Sequence, residues 1–199
     1  MALDERTKHG IGMALNEADL LGAEVSVPHR AAALTFRVLQ LPEGGGKPPA
    51  DRRVSVVLRP VGRVVASLRD ASWEDATAPA VPFGLEDLLA VVESFEGQPV
   101  YGWEFIDIER GFAGWADRLS LDVRLGDEGH THSITLFQEA PDRHLDLRLW
   151  FDSLAVLRAD GSEVPLEEFF AAAARWWDAM RAGDPRTDGE GIQHSDWTG

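Results

Sequence analysis

Apolar residues recur at every second position in six stretches of this chain, and that rhythm limits the fold more than any other feature. Leu34, Phe36 and Val38 alternate with Thr35 and Arg37, and Val54, Val56 and Leu58 with Ser55 and Arg59. Val64, Ala66 and Leu68 follow, then Leu119, Leu121, Val123 and Leu125, the pair Ile134 and Leu136, and Leu145, Leu147, Leu149 and Phe151. A period of two places each set on one face of a strand, apolar side in and polar side out. The expected class is therefore α+β, with one or two antiparallel sheets of about eight strands. Arg59-Pro60-Val61-Gly62 reads as a turn between two of the strands.

Helical spacing is confined to a few places. Leu85, Leu88, Leu89 and Val92 predict a middle helix ended by Gly97. A stronger one follows Pro165, where Leu166, Phe169, Phe170, Ala173, Trp177 and Met180 form one stripe. Glu167 and Glu168 suit the positive end of that helix, Arg175 and Arg181 its negative end. Both helices are expected on one face of the sheet, and a weaker helix near Asn16 to Leu21. Gly44-Gly45-Gly46 and Ala71 to Pro82 read as loops. One α+β domain over residues 1–182 is expected, with 183–199 as a loosely ordered tail.

A faint repeat raises the alternative of two duplicated halves, 10–80 and 81–182. Ala18-Asp19-Leu20-Leu21 resembles Glu86-Asp87-Leu88-Leu89, and Asp51 to Leu58 resembles Asp142 to Leu149. Unequal spacing would require an insertion in the second half, around Ile106 to Arg118.

Charge and cysteine content exclude several function classes. The chain carries 34 acidic and 19 basic side chains, a formal charge of −15 that repels phosphate backbones, and no Arg/Lys cluster offsets it. Nucleic acid is thus not an expected partner. Without cysteine there are no disulfides, thiolate metal sites or Cys nucleophile. The longest apolar run, Phe169 to Ala174, is far short of the ~20 residues of a membrane span. The charged N-terminus does not read as a signal peptide, and a cytoplasmic location is expected. Seventeen Arg beside two Lys, with abundant Ala and Gly, point to a GC-rich bacterial gene.

Three features carry candidate chemistry. His130-Thr131-His132 places two histidines on one strand face, a chelating arrangement, but a third ligand is lacking: Leu136 and Phe137 stand where a carboxylate is needed. If Ile134 and Leu136 pair with Leu149 and Leu147, His132 falls beside Phe151 and His144 on the opposite face, so no metal or other cofactor is expected. Tyr101-Gly102-Trp103-Glu104-Phe105-Ile106-Asp107 would line up Tyr101, Trp103, Phe105 and Asp107 on one face, a pocket wall or an aromatic core stripe. Trp115 sits in a Gly-rich loop, and Trp150 falls among charges on the polar parity of its strand. Trp176-Trp177 reads as core packing, with Trp177 on the helix stripe.

Other motifs fail. Glu43-Gly44-Gly45-Gly46-Lys47-Pro48 lacks the Ser/Thr of a phosphate loop, and there is no nucleophile elbow or dinucleotide fingerprint. No catalytic residue is assigned. The leading expectation is a non-enzymatic interaction protein that meets a basic protein through an acidic, Trp-bearing surface. Acidic immunity proteins that neutralise basic toxins offer an analogy of charge. The alternative is a small-molecule-binding or hydrolytic domain with a pocket near Trp103, Glu104, Asp107, Trp115, His132 and Trp150. A structural subunit that buries its aromatics in a homodimer is the third reading.

Overall fold

The computed structural model describes residues 3–75, 77–105 and 118–188. Through them runs one antiparallel sheet of eight strands, the last only two residues long. Helix α1 (Glu5–Leu15) leads into β1 (Asp19–Ser26), β2 (Ala31–Arg37) and the long β3 (Arg53–Arg69). A 3-10 turn at Leu85–Asp87 opens α2 (Leu88–Glu93), followed by β4 (Val100–Phe105), β5 (Leu121–Arg124), β6 (His132–Ala140) and β7 (Arg143–Arg158). The short β8 (Glu163–Val164) and α3 (Leu166–Arg181) complete the fold. The α+β class and the antiparallel sheet are as the alternation predicts.

The strand order is β1-β2-β3-β7-β6-β4, with β5 beside β3 and β8 beside β7. The sheet curls into a half-barrel until its two edge strands touch at one corner: Asp19 bridges to Pro99, and the Val100 N–H donates to Ala18 O at 2.9 Å. Gln138 seals this seam, its Nε2 donating to Gln98 O at 3.0 Å. Inside the curl, Leu34, Phe36, Val56, Leu58, Val64, Leu147, Leu149 and Phe151 are fully buried together with Ile11, Leu15 and Phe169 of the helices. Each such side chain taken from water contributes about 1.5–3 kcal/mol.

Residues 59–62 form no turn. β3 runs unbroken for 17 residues against the 16 of β7, paired from Val54↔Arg158 to Arg69↔His144. Instead the rhythm changes phase: core residues run Val54, Val56, Leu58, then Val61, then Val64, Ala66, Leu68. On β7 they run Leu145, Leu147, Leu149, Phe151, then Leu154 and Val156. β3 thus changes phase twice and β7 once, and the extra residue on β3 is a bulge between Val61 and Arg63. Bulges bend and re-aim a strand. Two further chain segments secure the bend: Val61 N–H donates to Arg30 O at 2.7 Å and Gly62 N–H to Gly129 O at 3.1 Å.

At the N-terminus the structure differs from the expected helix over Asn16–Leu21. The helix is α1, capped by Asp4, whose carboxylate accepts the Thr7 N–H at 2.7 Å. Asn16 to Leu21 instead carries the chain out of α1 and into β1, where a bulge between Leu20 and Gly22 breaks the alternation. Gly10 brings α1 close to α3; a Cβ there would lie 2.5 Å from the Phe170 ring. In α3, Trp176 is the fully buried tryptophan, packed with Leu39 and Leu41, whereas Trp177 is half-buried and donates its indole N–H to Met13 O at 3.2 Å. Of the two repeat segments, Asp51–Leu58 and Asp142–Leu149 open the paired strands β3 and β7. Ala18–Leu21 lies at β1 while Glu86–Leu89 is helical, so that likeness has no structural counterpart. The predicted tail lies outside the described residues from 189 onward; before it, Asp184 caps a 3-10 turn at Pro185–Thr187.

Gly62 tests the bend. A Cβ there would meet the Glu128 and Gly129 carbonyl oxygens at 2.6 Å. Gly62→Ala is therefore expected to lower unfolding free energy by about 1–3 kcal/mol in urea titrations, where Gly46→Ala, at an exposed loop position without positive φ and with only an ordinary contact at 3.4 Å, costs less.

Candidate functional site

The far end of the β3–β7 pair holds the most exposed aromatic group among the described residues. β3 ends at Arg69, and the following loop presents Trp73 with 57% of its surface open to solvent. Asp70, Glu74 and Asp75 flank it, all exposed. The loop is held by its own polar groups. The Asp75 carboxylate accepts from Thr77 N–H at 2.9 Å and Thr77 Oγ1 at 2.6 Å, and the Asp75 N–H donates to Ser72 O at 3.0 Å. The hydrogen bonds from the Thr77 side chain and backbone hold the Asp75 carboxyl below its ordinary range, so it stays ionised at neutral pH.

Two further elements extend this surface. Arg143, the first residue of β7 after the β6–β7 turn, reaches Asp70 at 3.1 Å with one terminal nitrogen and Ser94 Oγ at 2.7 Å with the other. Its guanidinium also lies 5.4 Å from the centre of the buried Phe95 ring. The Trp73 loop, the β6–β7 turn and the end of α2 are thereby joined around one cation. Glu93, Glu96 and Asp142, exposed on those two elements, add to the carboxylates of the loop. A tryptophan whose apolar area is already in water, ringed by acidic side chains, can dock a partner that is basic and partly apolar.

Beneath the loop, the sheet face turned away from the core is polar and yet buried. Ser67, Arg69, Thr135, His144 and Arg148 are each at most 9% exposed. His144 Nδ1–H donates to Ala71 O at 2.9 Å, fixing the root of the Trp73 loop, and its ring packs against Phe137. Arg148 Nε donates to Thr135 Oγ1 at 2.8 Å. Between them lies Asp146, aligned with Ser67 on β3 and Phe137 on β6. Burial pushes its carboxyl above the ordinary aspartate range, against the opposing pull of His144, Arg69 and Arg148.

Of the sequence candidates, His132 and Trp150 lie on opposite faces of the sheet. His132 is buried at 3% in the core; its Nε2 accepts the Leu3 N–H at 2.8 Å and its ring lies 5.8 Å from that of Phe151. The expected hairpin register holds, with Ile134 opposite Leu149, Leu136 opposite Leu147 and His132 opposite Phe151. Trp150 pairs with Ser133 and so lies on the other face from His132. It is buried to 7% rather than exposed, and the Arg63 and Arg148 guanidinium carbons lie 5.4 and 5.7 Å from its ring. Glu104 is aligned with Thr135, and a bulge between Tyr101 and Glu104 interrupts the strand alternation at Trp103. Asp107 and Trp115 lie outside the described residues. Among the described residues no group of three His, Asp or Glu side chains converges as for a metal ion, and no helix is long and apolar enough to cross a membrane.

Trp73 is the residue that sequence reasoning missed. Its signal was an aromatic between Asp70 and Glu74-Asp75 in a predicted loop, whereas Trp115 drew attention as an aromatic in a Gly-rich loop. No known protein family, curated protein or solved structure matches the chain.

Asp146 gives a pH-dependent prediction. Its raised pKa means the folded chain holds the proton more tightly than the unfolded chain, so the carboxyl costs nothing below its ordinary pKa of 3.8 and costs stability once the pH has risen through the raised value. Asp146→Asn is expected to raise the urea midpoint at about pH 7 and leave it unchanged at about pH 3. A lowered midpoint at neutral pH would show that Asp146 is a net stabilising partner of Arg69 and Arg148.

Proposed function

We propose that this chain is a non-enzymatic binding protein that docks a basic protein partner through the acidic surface around Trp73. The observation that carries the reading is Trp73 itself, a large apolar side chain 57% exposed on a loop fixed by Asp75, Thr77 and His144. Fixed aromatics lose little conformational entropy on association and dominate interface energies. The surrounding carboxylates, and the −15 charge of the whole chain, draw a cationic partner to that face and raise its rate of encounter. The buried Arg69, His144 and Arg148 serve as the platform under the loop.

A short peptide of alternating Arg and Leu is a suitable probe, followed by heteronuclear NMR at low salt. The Trp73 indole and the amides of 70–75, 93–96 and 139–143 are expected to shift together, and less so as salt is added. Trp73→Ala is expected to weaken binding about tenfold, the ~1.4 kcal/mol of a modest hot spot. Glu74→Lys with Glu93→Lys is expected to weaken it further and flatten the salt dependence. Shifts scattered over the whole acidic surface, or affinity indifferent to Trp73→Ala, would overturn the proposal.

A further inference from the structure

The opposite end of the β3–β7 pair holds a cleft of about 760 Å³, a volume typical of small-molecule sites. Its walls are α3, the turn between β7 and β8, and the loop between β2 and β3. Leu41, Val54, Val164 and Phe169 supply an apolar floor. Most of the charges around it are already matched. Arg53 holds Asp51 through a two-pronged ion pair of 2.9 and 2.7 Å, which pulls the Asp51 carboxyl down to about 2. Arg158 binds Glu168 at 2.8 Å, and Glu167 binds Arg6 at 2.8 Å.

Three charges on the cleft have no ion-pair partner among the described residues: Arg175, Asp160 and Glu43. Arg175 spends its Nε on Leu41 O at 3.0 Å, which aims the guanidinium without neutralising it. Asp160, on the β7–β8 turn, accepts from Ser162 N–H and Oγ, and Arg158 acts on it only through its charge, beyond ion-pair distance. Glu168, tied to that turn through Arg158, is seven residues before Arg175 on α3, about 10 Å at the helical rise. The cleft thus has a cation towards one end, a carboxylate towards the other and an apolar floor between them.

We propose that this cleft binds an elongated zwitterion, its carboxylate on Arg175, its ammonium or guanidinium group on Asp160, and an apolar body lying over Leu41, Val54 and Phe169. A planar guanidinium suits a carboxylate by paired hydrogen bonds. Glu43 on the loop adds a second negative charge at the rim, which disfavours a ligand that is purely anionic. The site lies at the other end of the sheet from Trp73 and stands whether or not that surface binds a partner.

The probe is 8-aminooctanoate, with octanoate and octylamine as single-charge controls, measured by saturation-transfer NMR and calorimetry on the full chain. The zwitterion is expected to bind with a Kd of about 0.1–1 mM and each control at least about tenfold more weakly. Arg175→Gln and Asp160→Asn are each expected to weaken the zwitterion about tenfold. Asp160→Asn keeps an acceptor for Ser162 and so tests the charge even if Arg175→Gln fails to fold. Octanoate binding as tightly as the zwitterion, affinity untouched by Asp160→Asn, or no binding at millimolar probe would each overturn the proposal.

Discussion

The structure depends on one bent ladder. β3 and β7 are the two longest strands, they pair along nearly their whole length, and every other strand of the described residues is attached to one of them or one strand further out. A flat pair of that length would leave its apolar face too extended for three helices to cover. The phase changes at Leu58–Val61 and Phe151–Leu154, with the bulge before Arg63, fold that face inward so that the sheet covers much of its own core. Gly62 and Gly129 make the bend narrow enough for the loop after β5 to clamp it.

The two candidate surfaces follow from that geometry. At one end of the ladder β3 runs out into the Trp73 loop, while the start of β7 supplies Arg143 and His144 to hold it. At the other end, the start of β3 and the close of β7 diverge around α3 and leave the cleft. A polar row between Ser67 and Arg148 covers the outer side of the ladder. Buried polar groups are costly unless matched, so a row of them is retained either for what it positions or for what it binds. Here the row includes the hydrogen bond from His144 to the backbone of Ala71, directly beneath Trp73.

Strand identity and pairing were the legible part of the sequence. Alternation alone aligned Ile134 and Leu136 with Leu149 and Leu147, and that register placed His132 against Phe151. Pro60-Val61-Gly62 misled because Pro and Gly signal a turn locally, whereas here they serve a bulge whose hydrogen bonds come from Arg30 and Gly129. α1 was missed because its buried stripe is only Gly10, Ile11, Ala14 and Leu15, with a glycine where Phe170 packs. Trp150 stood on the polar parity of its strand with its cover undecided, because alternation reveals which face a residue occupies and nothing about what covers that face. Trp73 could not be ranked above the other tryptophans for the same reason. The cleft was invisible, since the β2–β3 loop that forms one wall lies more than a hundred residues before the other two.

Residue-resolved amide hydrogen exchange on the native chain tests the continuous bent ladder most directly. The account predicts that Val61 and Gly62 exchange as slowly as Val64 to Leu68 and Leu145 to Phe151, because their N–H groups are hydrogen-bonded across the bend. Fast exchange at Val61 and Gly62 between two slowly exchanging segments would contradict it. That result would mean two shorter strands joined by an open turn, leaving both ends of the ladder without the frame on which the Trp73 surface and the cleft are built.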